Sequence, residues 1–119
     1  MSTAPITINS YDELPFPSQP LPLSHPDRLA AVARLFGMQP APADACRVLE
    51  LGCATGGNLI PMAERLPGSQ FVGIDYSRAQ LQIAESKAAR LQLTNVEFKE
   101  ADIAQLDASL GHFDYIICH

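Results

Sequence analysis

Three carboxylates stand where this chain could do chemistry: Glu50, Asp75 and Asp102. Glu50 lies among apolar residues, and burying a carboxylate is costly unless something pairs with it. Directly after it comes Gly52-Cys-Ala-Thr-Gly-Gly57, then Asn58. Gly52 and Gly56 bracket this turn, and glycine lets a ligand approach bare backbone without a Cβ in the way. Asn58 opens the next helix, where free N–H groups suit a ligand carboxylate. Asp75 closes a second apolar run and can accept hydrogen bonds from both hydroxyls of a ribose. Asp102 follows a third run. It can accept from an exocyclic amine of adenine while Ile103 covers the ring. The set suits a ligand that carries a nucleoside. Each member also has a plainer use: a tight turn, a helix-starting Asp, a solvated loop acid. Cys53 lends its backbone to the turn, and no nearby histidine marks it as half of a nucleophile pair.

The elements that must position these residues are legible from apolar spacing. Residues 47–51, 70–74, 95–99 and 113–118 read as strands. Helices are predicted from Ser24 to Gly37, from Asn58 to Pro67 and from Ser77 to about Leu91. Ser24 is the expected cap of the first, with Pro26 in its first turn and Leu29, Val32, Ala33 and Phe36 at helical spacing. Leu59, Met62, Ala63 and Leu66 mark the buried stripe of the second. Ser77 with Gln80 forms a capping box for the third, whose apolar face is Leu81, Ala84, Ala88 and Leu91. Residues 106–110 suit a short helix or turn. The alternation implies an α/β fold with a parallel sheet of about four strands and right-handed crossovers. In such a sheet the carboxyl ends of the strands line one crevice, and ligands bind there. All three acids fall at those ends.

The length of 119 residues fits one domain. Residues 1–23, with Pro15, Pro17, Pro20 and Pro22, read as a proline-rich arm anchored by Tyr11, Leu14 and Phe16; residues 24–119 form the α/β domain. Hydrophobic residues at 47% and charged residues at 18% indicate a globular chain. The net charge of −5 argues against a nucleic-acid partner, since phosphate binding needs a basic surface. No apolar run is long enough to span a bilayer, so no membrane partner is expected. The start of the chain lacks the features of a signal peptide. Cys46, Cys53 and Cys118 show no metal-site spacing and read as reduced thiols, which points to the cytoplasm.

Val48-Leu-Glu-Leu-Gly-Cys-Ala-Thr-Gly56 resembles motif I of class I S-adenosylmethionine (SAM)-dependent methyltransferases. Phe71-Val-Gly-Ile-Asp75 with Ser77 resembles their next motif, Ala101-Asp-Ile103 the third, and 113–119 the strand before the catalytic loop. The head of the chain, 11–16 and 24–28, is similar to a bacterial subgroup that also carries a methyltransferase regulatory domain. The resemblance implies a Rossmann-like sheet of order 3-2-1-4 and SAM as cofactor, with S-adenosylhomocysteine as product. It implies that Glu50 holds the amino end of SAM, with Gly52, Cys53 and Ala54 laying backbone along it. It assigns the ribose to Asp75, the flanks of the adenine to Tyr76 and Gln80, and the adenine edge to Asp102 and Ile103. His119 falls near the sulphonium.

Two departures set the alternatives. Ala54 stands where the family has a glycine, so the turn also reads Gly52-x-Ala54-x-x-Gly57, close to a nicotinamide-dinucleotide fingerprint. An NAD(P)-dependent oxidoreductase is therefore the second reading. Next, the sequence reaches only the fourth strand, so the substrate loop and catalytic residues are expected beyond His119. The methyl acceptor, a protein or a small molecule, is not encoded in what is present. A third reading is a non-catalytic module that self-associates through an exposed fourth strand as a homodimer.

Overall fold

The computed structural model describes residues 18–118. The expectations for Tyr11, Leu14, Pro15, Phe16, Pro17 and His119 fall outside them. Four strands form the sheet: β1 (Arg47–Leu51), β2 (Gln70–Asp75), β3 (Val96–Glu100) and β4 (Tyr115–Cys118). Their order is β3-β2-β1-β4, and all three pairings are parallel. Three helices accompany them: α1 (Pro26–Leu35), α2 (Leu59–Arg65) and α3 (Arg78–Arg90). This is the strand order that the resemblance implies.

Alternation along the strands splits the core in two. On one face Val48, Phe71, Tyr115 and Ile117 pack with Ala30 of α1 and Leu59, Met62 and Ala63 of α2. On the other, Leu49, Val72 and Ile74 meet Leu51, Ala101, Leu106, Leu110 and Phe113. Leu51 ends β1, and the other four come from the segment between β3 and β4. That segment includes two short 3-10 turns, Ile103–Gln105 and Ala108–Leu110, which answer the predicted short helix or turn.

Three local expectations are corrected. Ser24 ends a 3-10 turn, Pro22–Ser24, and does not cap α1. Pro26 takes the first helical position, so the cap falls to His25, whose Nδ1 accepts the Asp27 N–H at 3.2 Å. The apolar spacing of α1 also overstates its buried face. Ala30 and Pro26 are buried, whereas Val32 and Phe36 are exposed, Phe36 at 82%. The predicted faces of α2 and α3 are buried at Leu59, Met62, Ala63, Leu81, Ala84 and Ala88, but Leu91, expected on the α3 face, follows the end of the helix and is exposed.

Buried Asn95 locks the helix layer to the sheet. Its side-chain amide donates to the carbonyls of Ala63, Leu66 and Ser69 at 3.0, 3.1 and 3.1 Å. These are carbonyls at and beyond the end of α2, which have no partner within the helix.

Candidate functional site

The carboxyl ends of β1, β2 and β3 open into a cleft of about 780 Å3. Ten of the twelve sequence-predicted residues line it: Glu50, Gly52, Cys53, Ala54, Asn58, Asp75, Tyr76, Gln80, Asp102 and Ile103. Gly56 is buried behind the turn. His119 lies outside the described residues.

The glycine turn is a shaped backbone. The N–H groups of Gly52 and Cys53 both donate to the carbonyl of Ile74, at 2.8 and 3.0 Å, which fastens the turn across β2. Gly52 has φ +76°, and Ala54 has φ +50°. An L-residue pays for a left-handed conformation by crowding its Cβ against the following carbonyl. The alanine that replaces the family glycine is thus strained. Ala54→Gly should raise stability by about 0.5–1 kcal/mol, the relief exceeding the extra freedom glycine brings to the unfolded chain. Urea denaturation reads this, and a loss of stability would refute it.

Asp75 holds Ala54 in place. Its Oδ2 accepts the Ala54 N–H at 2.8 Å and its Oδ1 accepts the Ser77 N–H at 2.9 Å. A carboxylate has about four acceptor sites, so the same group has capacity for ligand hydroxyls. Ser77 Oγ accepts the Gln80 N–H at 3.3 Å, as the capping reading requires. From α3, Lys87 Nζ donates to the carbonyl and hydroxyl of Thr55, at 3.3 and 3.4 Å.

Glu50 is completely buried. Its Oε2 accepts from Asn58 Nδ2 at 2.6 Å. Asn58 was selected for the backbone donors of a helix start, and the structure instead engages its side chain. That amide also donates to Ser24 Oγ at 3.0 Å, and its Oδ1 accepts the Leu21 N–H at 2.7 Å.

Cys53 is buried under the turn. Burial, with Asp75 and Glu50 nearby, pushes its thiol far above the ordinary cysteine range, so it stays protonated. This agrees with a backbone role. Asp102 Oδ1 accepts the Ala104 N–H at 2.9 Å and caps the turn that presents exposed Ile103 to the cleft.

Sequence reasoning missed five lining residues: Ser18, Gln19, Leu21, Leu51 and Cys118. The first three come from the proline-rich segment, whose path no local pattern encodes. Leu51 and Cys118 are the last residues of the paired strands β1 and β4, in register with each other. The crevice rule that selected the acids would also have selected them.

The sequence profile of a family described as a methyltransferase domain matches residues 42–119. An uncharacterized protein of Rickettsia prowazekii, RP789, is 45% identical over 93% of this chain. Trans-aconitate 2-methyltransferase of Deinococcus radiodurans is 38% identical over 59% of it. Among solved structures, PKMT2 from Rickettsia typhi in complex with AdoHcy superposes with a TM-score of 0.83, at 37% identity over 88% of this chain. The chain spans only 20% of PKMT2 and of RP789, and 24% of the Deinococcus enzyme. With the methyltransferase-domain profile matching more than half of the sequence, the four-strand order and the cleft at the strand ends, this chain belongs to the class I SAM-dependent methyltransferases.

Proposed function

We propose that this chain is the cofactor-binding portion of a methyltransferase and seats SAM in the cleft at the ends of β1 to β3. The observation that carries this is the joining, in one cleft, of the buried Glu50, the glycine turn, Asp75 and Asp102. The cleft lies within the usual size range for small-molecule sites, about 300–1,000 Å3. The strand order supports this reading, in which Glu50 of β1 takes the ammonium, Asp75 of β2 the ribose, and Asp102 and Ile103 after β3 the adenine, with Tyr76 and Gln80 beside it.

SAM itself supplies the activated methyl group. The residues of this chain bind and orient it, which is the main contribution a protein makes to a displacement reaction. The acceptor is a protein or a small molecule, and the natural setting is the cytoplasm, where the free thiols Cys46, Cys53 and Cys118 stay reduced. No helix among the described residues is long and apolar enough to cross a membrane.

Calorimetry with SAM, S-adenosylhomocysteine and NAD tests the assignment. Heat from the two sulphur ligands alone is expected, and heat from NAD alone would overturn it. Self-association is a separate proposal. β4 pairs only with β1 among the described residues, and Ile116 is 62% exposed on it. An open apolar edge invites pairing with a second copy. Sedimentation velocity of the 119-residue chain should show dimer growing with concentration; a monomer throughout would remove the idea.

A further inference from the structure

We propose that residues 18–21 form a wall of the cofactor cleft at its methionine end, and that Asn58 is the positioning residue that ties this wall to Glu50. The proposal rests on the SAM reading above.

Three observations converge. First, Ser18, Gln19 and Leu21 line the cleft together with Glu50 and Asn58. Second, the segment is hydrogen-bonded to the glycine turn. The Gly57 N–H donates to Ser18 Oγ at 2.7 Å, and the Leu21 N–H donates to Asn58 Oδ1 at 2.7 Å. These bonds bridge 39 and 37 residues of sequence, so they are tertiary contacts of the arm and not local turns. Third, Gly57 leaves room for nothing but the arm. A Cβ built there would stand 2.4 Å from the carbonyl carbon and oxygen of Ser18 and 2.7 Å from the Gln19 nitrogen. Gly57 is not in a left-handed conformation, so closeness of the arm is the constraint at this position.

Asn58 makes the connection a chain. One end of its side chain takes the arm's Leu21 N–H, and the other donates to the buried Glu50 carboxylate and to Ser24 Oγ. A ligand ammonium drawn to Glu50 therefore meets a carboxylate held on one oxygen by the same amide that anchors the arm. The adenosine end of the cleft, at Asp75 and Asp102, shares none of these bonds. The arm should consequently discriminate on the amino-acid half of the cofactor and be indifferent to the nucleoside half.

The test compares two ligands: S-adenosylhomocysteine, and 5′-methylthioadenosine, which keeps the nucleoside and lacks the amino-acid end. Gly57→Ala displaces the arm without deleting it, and Asn58→Ala cuts the chain to Glu50. Each should weaken S-adenosylhomocysteine about tenfold, the scale of one lost buried hydrogen bond, and leave methylthioadenosine within about twofold. In the wild type, S-adenosylhomocysteine should slow hydrogen exchange at the Leu21 amide, and methylthioadenosine should not. Equal losses for the two ligands, or wild-type affinity in Gly57→Ala, would overturn the proposal. If the wild type binds neither ligand, the SAM reading has failed instead. Should Asn58→Ala fail to fold, Gly57→Ala and the wild-type exchange experiment still decide.

Discussion

Asp75→Ala is expected to lower stability by about 2–3 kcal/mol and SAM affinity by a further 1–3 kcal/mol. The two effects have separate origins. Stability falls because the carboxylate accepts the N–H groups of Ala54 and Ser77, and both bonds vanish together. The first of these holds a residue in a strained left-handed conformation. Without it, Ala54 can relax and carry the turn away from β2. Affinity falls because, on the proposed SAM reading, the ribose hydroxyls lose their acceptor. Asp75→Asn separates the two, since an amide keeps one acceptor oxygen and can serve only one of the two N–H groups. It should show an intermediate stability by urea denaturation and a nearly full loss of cofactor affinity by calorimetry. Normal affinity in a folded Asp75→Ala protein would remove the residue from the ribose role.

The other large effect is expected in the middle of β2. Gly73→Val should cost about 3 kcal/mol, near the upper end for overpacking a core. A Cβ at Gly73 would lie 2.8 Å from Cys53 Sγ and 2.9 Å from Phe98 Cδ1; Gly73 and Cys53 are buried and Phe98 is half-buried. The Cys53 side chain cannot retreat freely, because its backbone N–H is bonded to Ile74 across β2. The strain should therefore pass into the glycine turn. Gly73→Ala should show a smaller loss in the same direction. The companion change Cys53→Ala, which empties the space above Gly73, should recover part of it. A Gly73→Val protein as stable as the wild type would show that the turn yields more easily than its hydrogen bonds suggest.

The sequence carried the parts of the site that depend on position along a strand. Glu50, Asp75 and Asp102 each lie at or just past the carboxyl end of a strand, and a parallel sheet brings such ends together whatever the loops do. The capping of α3 by Ser77 was equally local. What was hidden lies in contacts between distant residues. Asn58, a partner of Glu50, is only eight positions away, but faces it through a turn whose geometry no periodicity encodes. Ser18 and Leu21 reach the site across more than 35 residues. Gly73 read as an ordinary strand residue because the demand for a missing Cβ comes from Cys53 and Phe98, on other segments. The face of α1 was misjudged for a related reason. Apolar spacing says that a helix could bury Val32 and Phe36, not that something is there to cover them.

Arg47, the first residue of β1, has a consequence for how the sheet assembles. Its N–H bonds Asp114 Oδ2 at 2.8 Å, its guanidinium donates to the carbonyl of His112, and its head lies 4.4 Å over the Phe113 ring. These contacts close 65 to 67 residues of chain. On the other side of β1, the contact between Cys46 and Ser69 at the β1–β2 junction closes only 23. Closing the longer loop costs roughly 1 kcal/mol more in chain entropy. The β1–β2 pair, and with it the glycine turn fastened to Ile74, can thus form early in folding. β4 is expected to join later, with the Arg47 contacts helping to seat it against β1. The strand ends that carry Glu50 and Asp75 are thus joined by the shorter of the two closures, and the edge at Cys118 by the longer.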